Sequence, residues 1–102
     1  MKKIIDGKVY NTETAKCLAE WDNGYSYSDF RFCEEGLYRT RNGRYFIHGK
    51  GGAMTRYSER CGNNSYCEGE DIRPVTEAEA KEWVEENANS DYEAIFGAAE
   101  EA

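Results

Sequence analysis

A chain of 102 residues with 39% hydrophobic content and a net charge of −7 can bury one small core, so a single domain spanning 1–102 is expected. The opening "MKKIIDGKVY" has two apolar residues before Asp6, far short of a secretory signal, and no apolar run is long enough to cross a bilayer. Secretion and membrane insertion are therefore excluded as expectations, a cytoplasmic location is predicted, and the four cysteines are expected to be thiols or metal ligands rather than disulfides.

In chain order, "KKII" and "KVY" flank Asp6-Gly7, a dipeptide suited to a two-residue hairpin turn. The segment "TETAKCLAEWD", residues 12–22, has helix-favouring Ala and Leu but an imperfect alternation. A strand is the preferred reading. The clearest local signal is "LYRTRNGRYFIHG", where Asn42-Gly43 sits between two aromatic-rich runs and predicts a type I′ hairpin over 37–49. Such a turn sets Arg41 against Arg44, Thr40 against Tyr45, Arg39 against Phe46, Tyr38 against Ile47 and Leu37 against His48. Tyr38, Tyr45 and Ile47 then share one face. Arg39, Arg41, Arg44 and His48 occupy the other, with Phe46 and Leu37 among them.

"GKGGAMTRYSERCGNNSYCEGED" is too rich in glycine and polar residues to be regular throughout and reads as irregular structure. "DIRPV" is at best a short edge strand, because Pro74 has no N–H to donate to a ladder. From Thr76 the period changes to that of a helix. Thr76 and Glu79 make a capping box, Ala80, Trp83, Val84, Asn87 and Ala88 fall on one face, and Glu79, Glu82, Glu85 and Glu86 fall on the other. A second short helix from Asp91 is expected to bury Tyr92, Ile95 and Phe96 before Gly97 ends it. The predicted fold class is α+β: a small antiparallel sheet of hairpins over 1–75, and two short helices over 76–97.

Cys17, Cys33, Cys61 and Cys67 are the number of ligands that a structural zinc ion takes. Their spacing is unusual, since the last two are separated by five residues and the first two arrive singly. The loop between Cys61 and Cys67 holds Gly62, Asn63 and Asn64, which tolerate the positive φ of a ligand turn, and it has little apolar content to order it. Zinc bound by all four is the expectation, structural because no coordination position stays open for water. Buried or incidental free thiols and disulfides remain the alternatives.

Catalytic constellations are poor. His48 is the only histidine, and there is no phosphate-binding glycine loop, nucleophile elbow or paired-carboxylate motif, so the chain is expected not to be an enzyme. Charge is segregated instead: residues 1–30 carry −1, residues 31–60 carry +4 and residues 61–102 carry −10. Arg39, Arg41 and Arg44, interleaved with aromatics, could meet nucleic acid, but the acidic last third would repel a phosphate backbone. The opposite partner fits better: an acidic helix face occupying a basic surface on a protein that handles nucleic acid.

The stretches "KIIDGKVYNTETAK", "DNGYSYSDFR", "GRYFIHGKGG" and "PVTEAEAKEW" resemble a family of short proteins carried by phages and integrative elements of Gram-positive bacteria. The likeness covers nearly the whole chain, and the family's pattern is not built around cysteine. Anti-CRISPR inhibitors are a prominent group among small acidic proteins of such elements, and they include a zinc-binding inhibitor of type II-A systems. The resemblance implies a non-enzymatic inhibitor in a bacterial host cytoplasm, acting stoichiometrically on a type II RNA-guided DNA nuclease by blocking its DNA binding or activation. Glu79, Glu82, Glu85 and Glu86 are the expected contact residues, with Arg39, Arg41 and Arg44 as a second surface. The competing expectation is a small zinc-stabilised nucleic-acid-binding module that uses hairpin 37–49.

Overall fold

The computed structural model describes residues 1–102. Strands β1 (Lys2–Ile5) and β2 (Lys8–Asn11) form the first hairpin, turning at Asp6 and Gly7 with φ of 51° and 73°. The two-residue turn expected at Asp6-Gly7 is present, and positive φ at both central residues is the mark of type I′. Alternation then decides what the hairpin buries. Tyr10 is buried and meets Phe46 edge-on at 5.6 Å, whereas Ile4 and Val9 face solvent.

Strands β3 (Lys16–Asp22), β4 (Cys33–Arg39) and β5 (Tyr45–Gly51) follow, then the short pair β6 (Glu59–Gly62) and β7 (Ser65–Cys67), and finally β8 (Gly69–Val75). The main sheet is antiparallel with order β3-β4-β5-β8, and β6 and β7 pair only with each other. Residues 12–22 thus contain the strand that was preferred over a helix. A bulge at Leu18 interrupts its pairing with β4, where the partners pass from Cys17 opposite Tyr38 to Ala19 opposite Leu37.

The β4–β5 hairpin exists where it was expected, but its turn is a different one. Gly43 N–H donates to the Thr40 carbonyl at 2.9 Å, Thr40 N–H to the Arg44 carbonyl at 2.8 Å, and Arg44 N–H to Thr40 Oγ1 at 3.1 Å. Only Gly43, at φ 86°, is left-handed, so this is a type I turn closed by a left-handed glycine, with three residues in the loop. The register moves by one: Arg39 pairs with Tyr45, Tyr38 with Phe46, Leu37 with Ile47 and Gly36 with His48. Since side chains alternate with period two, the expected sharing of faces is overturned. Leu37 joins Tyr45 and Ile47, and Tyr38 joins Phe46 and His48.

Two further expectations are corrected. The glycine-rich stretch is not irregular throughout, because β5 runs on to Gly51 and the β6–β7 hairpin turns at Asn63-Asn64, with Asn64 at φ 61°. The edge strand is also longer than "DIRPV", pairing with β5 from Gly69 opposite Gly51 to Val75 opposite Tyr45. Pro74 is tolerated because β8 lies at the margin of the sheet.

Helix α1 (Glu77–Asn87) begins with the expected capping box: Glu79 N–H donates to Thr76 Oγ1 at 3.1 Å and Thr76 N–H to Glu79 Oε1 at 3.0 Å. Such a cap contributes about 1 kcal/mol. Ala80, Trp83, Val84 and Ala88 bury against Ala19, Leu37 and Ile47, forming the main core on one face of the sheet. Tyr10, Phe46 and Ile72 form a smaller core on the other face, beneath the first hairpin. A 3-10 turn at Asn89–Asp91 leads into α2 (Tyr92–Phe96), which Gly97 terminates at φ 91°. Tyr92, Ile95 and Phe96 are half-buried rather than buried, for a helix of five residues can lay only its rim on the core. The fold is α+β, with antiparallel sheets and two short helices near the C-terminus.

Candidate functional site

Helical spacing sends Glu79, Glu82, Glu85 and Glu86 to the exposed side of α1, as expected from the sequence. The last turn has no basic residue, and Lys81 lies 3.9 Å from Glu77 and 5.7 Å from the centre of the Phe96 ring. Glu79 is committed to the cap, where hydrogen bonding from Thr76 holds its carboxyl below the usual range. Glu82, Glu85 and Glu86 have no ion-pair or side-chain hydrogen-bond partner, so their charge faces water. The face is rigidly presented, because the opposite side of the same turns is locked into the main core.

The β4–β5 turn carries the basic counterpart. Arg39, Arg41 and Arg44 are exposed, and Lys16 lies directly opposite Arg39 across the β3–β4 ladder. None of the four is in a salt bridge, whereas Arg31 is held by Asp29 at 3.0 Å and Lys50 by Glu34 at 3.2 Å. Like charges placed directly opposite each other weaken a sheet pair. A third feature had no signal in the sequence reading: Tyr27, Phe30 and Met54 stand 68–71% exposed on neighbouring loops, which are joined by Met54 N–H donating to the Phe30 carbonyl at 2.9 Å.

His48 lies on the face of Tyr38 and Phe46, with Nε2 at 2.7 Å from Glu70 Oε2. Nearby, Glu20, Asp22, Glu34, Tyr38 and Lys50 border an open hollow of about 430 Å³ over Gly36. Cys17, on the same face, sits 3.8 Å from Glu20 Oε1, and burial followed by the Glu20 charge pushes its thiol up. A thiol held protonated beside a carboxylate is a poor nucleophile.

The register separates the expected metal ligands. Cys17 opposes Tyr38 on the Phe46 face, while Cys33 belongs to the alternation of Glu35 and Leu37 on the α1 face. Tyr38 and Cys33 are also five positions apart on β4, about 17 Å along the strand. Cys61 and Cys67 stand on the separate β6–β7 hairpin. No group of three or more His, Cys, Asp or Glu side chains is brought into metal-holding geometry. The four-cysteine zinc site is therefore not assembled here: only Cys61 and Cys67 come together, because the sheet's pleat sends Cys17 and Cys33 to opposite faces.

The most tightly engaged polar side chain, Glu35, escaped the sequence reading. It is buried between sheet and α1, accepts hydrogen bonds from Tyr57 Oη and from Trp83 Nε1 at 2.9 Å, and lies 3.5 Å from Arg73 Nη2. Burial alone would raise its pKa, but hydrogen bonds from Tyr57 and Trp83, with the charge of Arg73, hold the carboxyl below the usual range. The same arrangement pushes the Tyr57 hydroxyl far up, through burial first and the Glu35 bond second. Gly49 makes room for that ring, since a Cβ there would fall on it. The available signal was parity: Glu35 is two residues before Leu37, and so on the same face. No helix of the structure is long and apolar enough to cross a membrane. Comparison of the chain with protein-family models, with curated proteins and with solved structures finds no match.

Proposed function

We propose that the chain is a non-enzymatic inhibitor that docks its acidic helix face on a basic nucleic-acid-handling protein, a guide-loaded type II CRISPR nuclease being the first partner to test. The observation that carries this reading is the unpaired charge of Glu82, Glu85 and Glu86 on a helix whose other side is locked to the sheet. Carboxylates with no partner of their own stay available to one, and complementary charge steers association and sets specificity. Exposed Tyr27, Phe30 and Met54 offer the apolar anchors that a protein partner uses and a phosphate backbone does not.

A second reading has its own support. Lys16, Arg39, Arg41 and Arg44 gather at one end of the sheet without a carboxylate partner, which suits phosphate contacts and a nucleic-acid-binding role. One set of titrations separates the two. On the first reading the protein inhibits nuclease cleavage at equimolar ratio, binding weakens as salt rises, and the triple change Glu82→Lys, Glu85→Lys, Glu86→Lys weakens it by about tenfold or more. Tight binding to duplex DNA that is lost in Arg41→Glu, with no binding to the nuclease, would replace it by the second.

A further inference from the structure

Every residue from Glu59 to Tyr66 is exposed, so no apolar core holds β6 and β7 together. In their ladder Glu59 opposes Cys67, Arg60 opposes Tyr66 and Gly62 opposes Ser65, which leaves Cys61 as the extra residue of a bulge. Opposed residues share a side, so Glu59 and Cys67 stand on the same side of the ladder as Gly62 and Ser65, and the bulged Cys61 lies next to that Gly62–Ser65 pair, diagonal to Cys67. The Cys67 thiol reaches over β6, 3.5 Å from the Glu59 carbonyl oxygen. Hydrogen bonding with Cys61, then burial, then the charges of Cys61, Glu59 and Glu68 keep Cys67 protonated to higher pH. Both cysteines are free.

We infer that Cys61 and Cys67 form a dithiol site that reduces a low-molecular-weight disulfide and closes an intramolecular disulfide across the hairpin. The Cys61 thiolate attacks one sulfur of the reagent; its S–S bond breaks and the leaving thiolate takes a proton. Cys67 then gives up its proton, and its sulfur displaces the second thiolate from Cys61. Two protein thiols are oxidised, one disulfide is reduced to two thiols, and no further co-reactant enters. The pair is diagonal in the ladder, but the bulge adds local twist, and nothing packed on the hairpin opposes the adjustment that disulfide spacing demands. Cys17 and Cys33, on opposite faces of the main sheet, have no such neighbour, so the same reagent can carry either of them only as far as a mixed disulfide.

The test uses the full chain with oxidised glutathione as the probe. The expected product lacks a glutathione adduct at Cys61 or Cys67, and cleavage after Arg60 and Lys81, the Arg73–Pro74 bond being resistant, releases the single peptide 61–81 that holds both, about two mass units lighter than its reduced form. The Cys61→Ser and Cys67→Ser proteins should each keep a glutathione adduct on the remaining hairpin thiol, and the Cys17→Ser, Cys33→Ser double variant should close the bridge as the parent does. Amide exchange in β6 and β7 should slow by about tenfold or more on oxidation, because the bridge resists local opening. Four alkylatable thiols after treatment, glutathione retained at Cys61 or Cys67 of the parent, or a bridge to Cys17 or Cys33 would overturn the inference. The parent's mass and peptide map decide it even where a serine variant fails to fold.

Discussion

The main sheet and the β6–β7 hairpin are both antiparallel and both turn on Asn or Gly, yet different forces hold them. In the main sheet, Leu37, Ile47 and Phe46 are fully or almost fully buried, and Glu35 ties Trp83 of α1 to Tyr57 and Arg73. In the hairpin the backbone ladder stands without a core, and a hairpin alone is marginally stable in water. The contrast teaches where substitutions in this chain will be felt: a ladder gains its persistence from what lies on its faces.

The sharpest way to break that contrast is to empty its centre. Leu37→Ala should destabilise by about 2–5 kcal/mol through lost burial and the cavity left behind, read as a lower midpoint in chemical unfolding. Glu35→Ala is expected to follow at about 3 kcal/mol, since it strands the Trp83 indole N–H and the Tyr57 hydroxyl without an acceptor. Retained stability in that variant would show the three-way contact to be incidental.

Acid sharpens the same comparison. The carboxyl of Glu35 is held below its ordinary value in the folded state, so its contribution is present above the unfolded value of about 4.3 and is lost as pH falls through the lower folded value. Stability measured from pH 6 downward should therefore fall more steeply in the parent than in Glu35→Gln over that window. Parallel curves would assign acid sensitivity elsewhere. The smallest effect belongs to the hairpin: in reduced protein, Cys61→Ser or Tyr66→Ala should change stability by less than about 0.5 kcal/mol. A loss comparable with that of Leu37→Ala would mean the hairpin is packed in a way its exposure denies.

Legibility followed how local the deciding interaction was. The Asp6-Gly7 turn, the Thr76–Glu79 cap and the burial of Ala80, Trp83, Val84 and Ala88 rest on residues within one or two turns of each other, and all were readable. Asn42-Gly43 marked a hairpin but not its loop length, because Thr40 closes the turn with both its backbone and its hydroxyl, and the two-residue alternative differs by one register step. That single step misassigned the faces of Leu37 and Tyr38. The cysteines show a related limit: a count of four says nothing about parity, and parity separates Cys17 from Cys33. Glu35 was missed because an acid in a strand reads as solvent-facing until its partners, 22 to 48 positions away, are known.

The margins of the main sheet have a consequence for the protein in concentrated solution. One outermost strand is broken by the displaced Leu18, which leaves only Ala19–Asp22, about 13 Å, in unbroken alternation. The other carries Pro74, whose ring lacks the donor that an incoming strand would need. Neither border offers an uninterrupted row of hydrogen-bonding groups for an unfolded copy to copy itself onto, so growth by strand addition stalls within a few residues at either side. In a chain with 14% aromatic residues, such irregularities at both borders act against ordered strand-on-strand association.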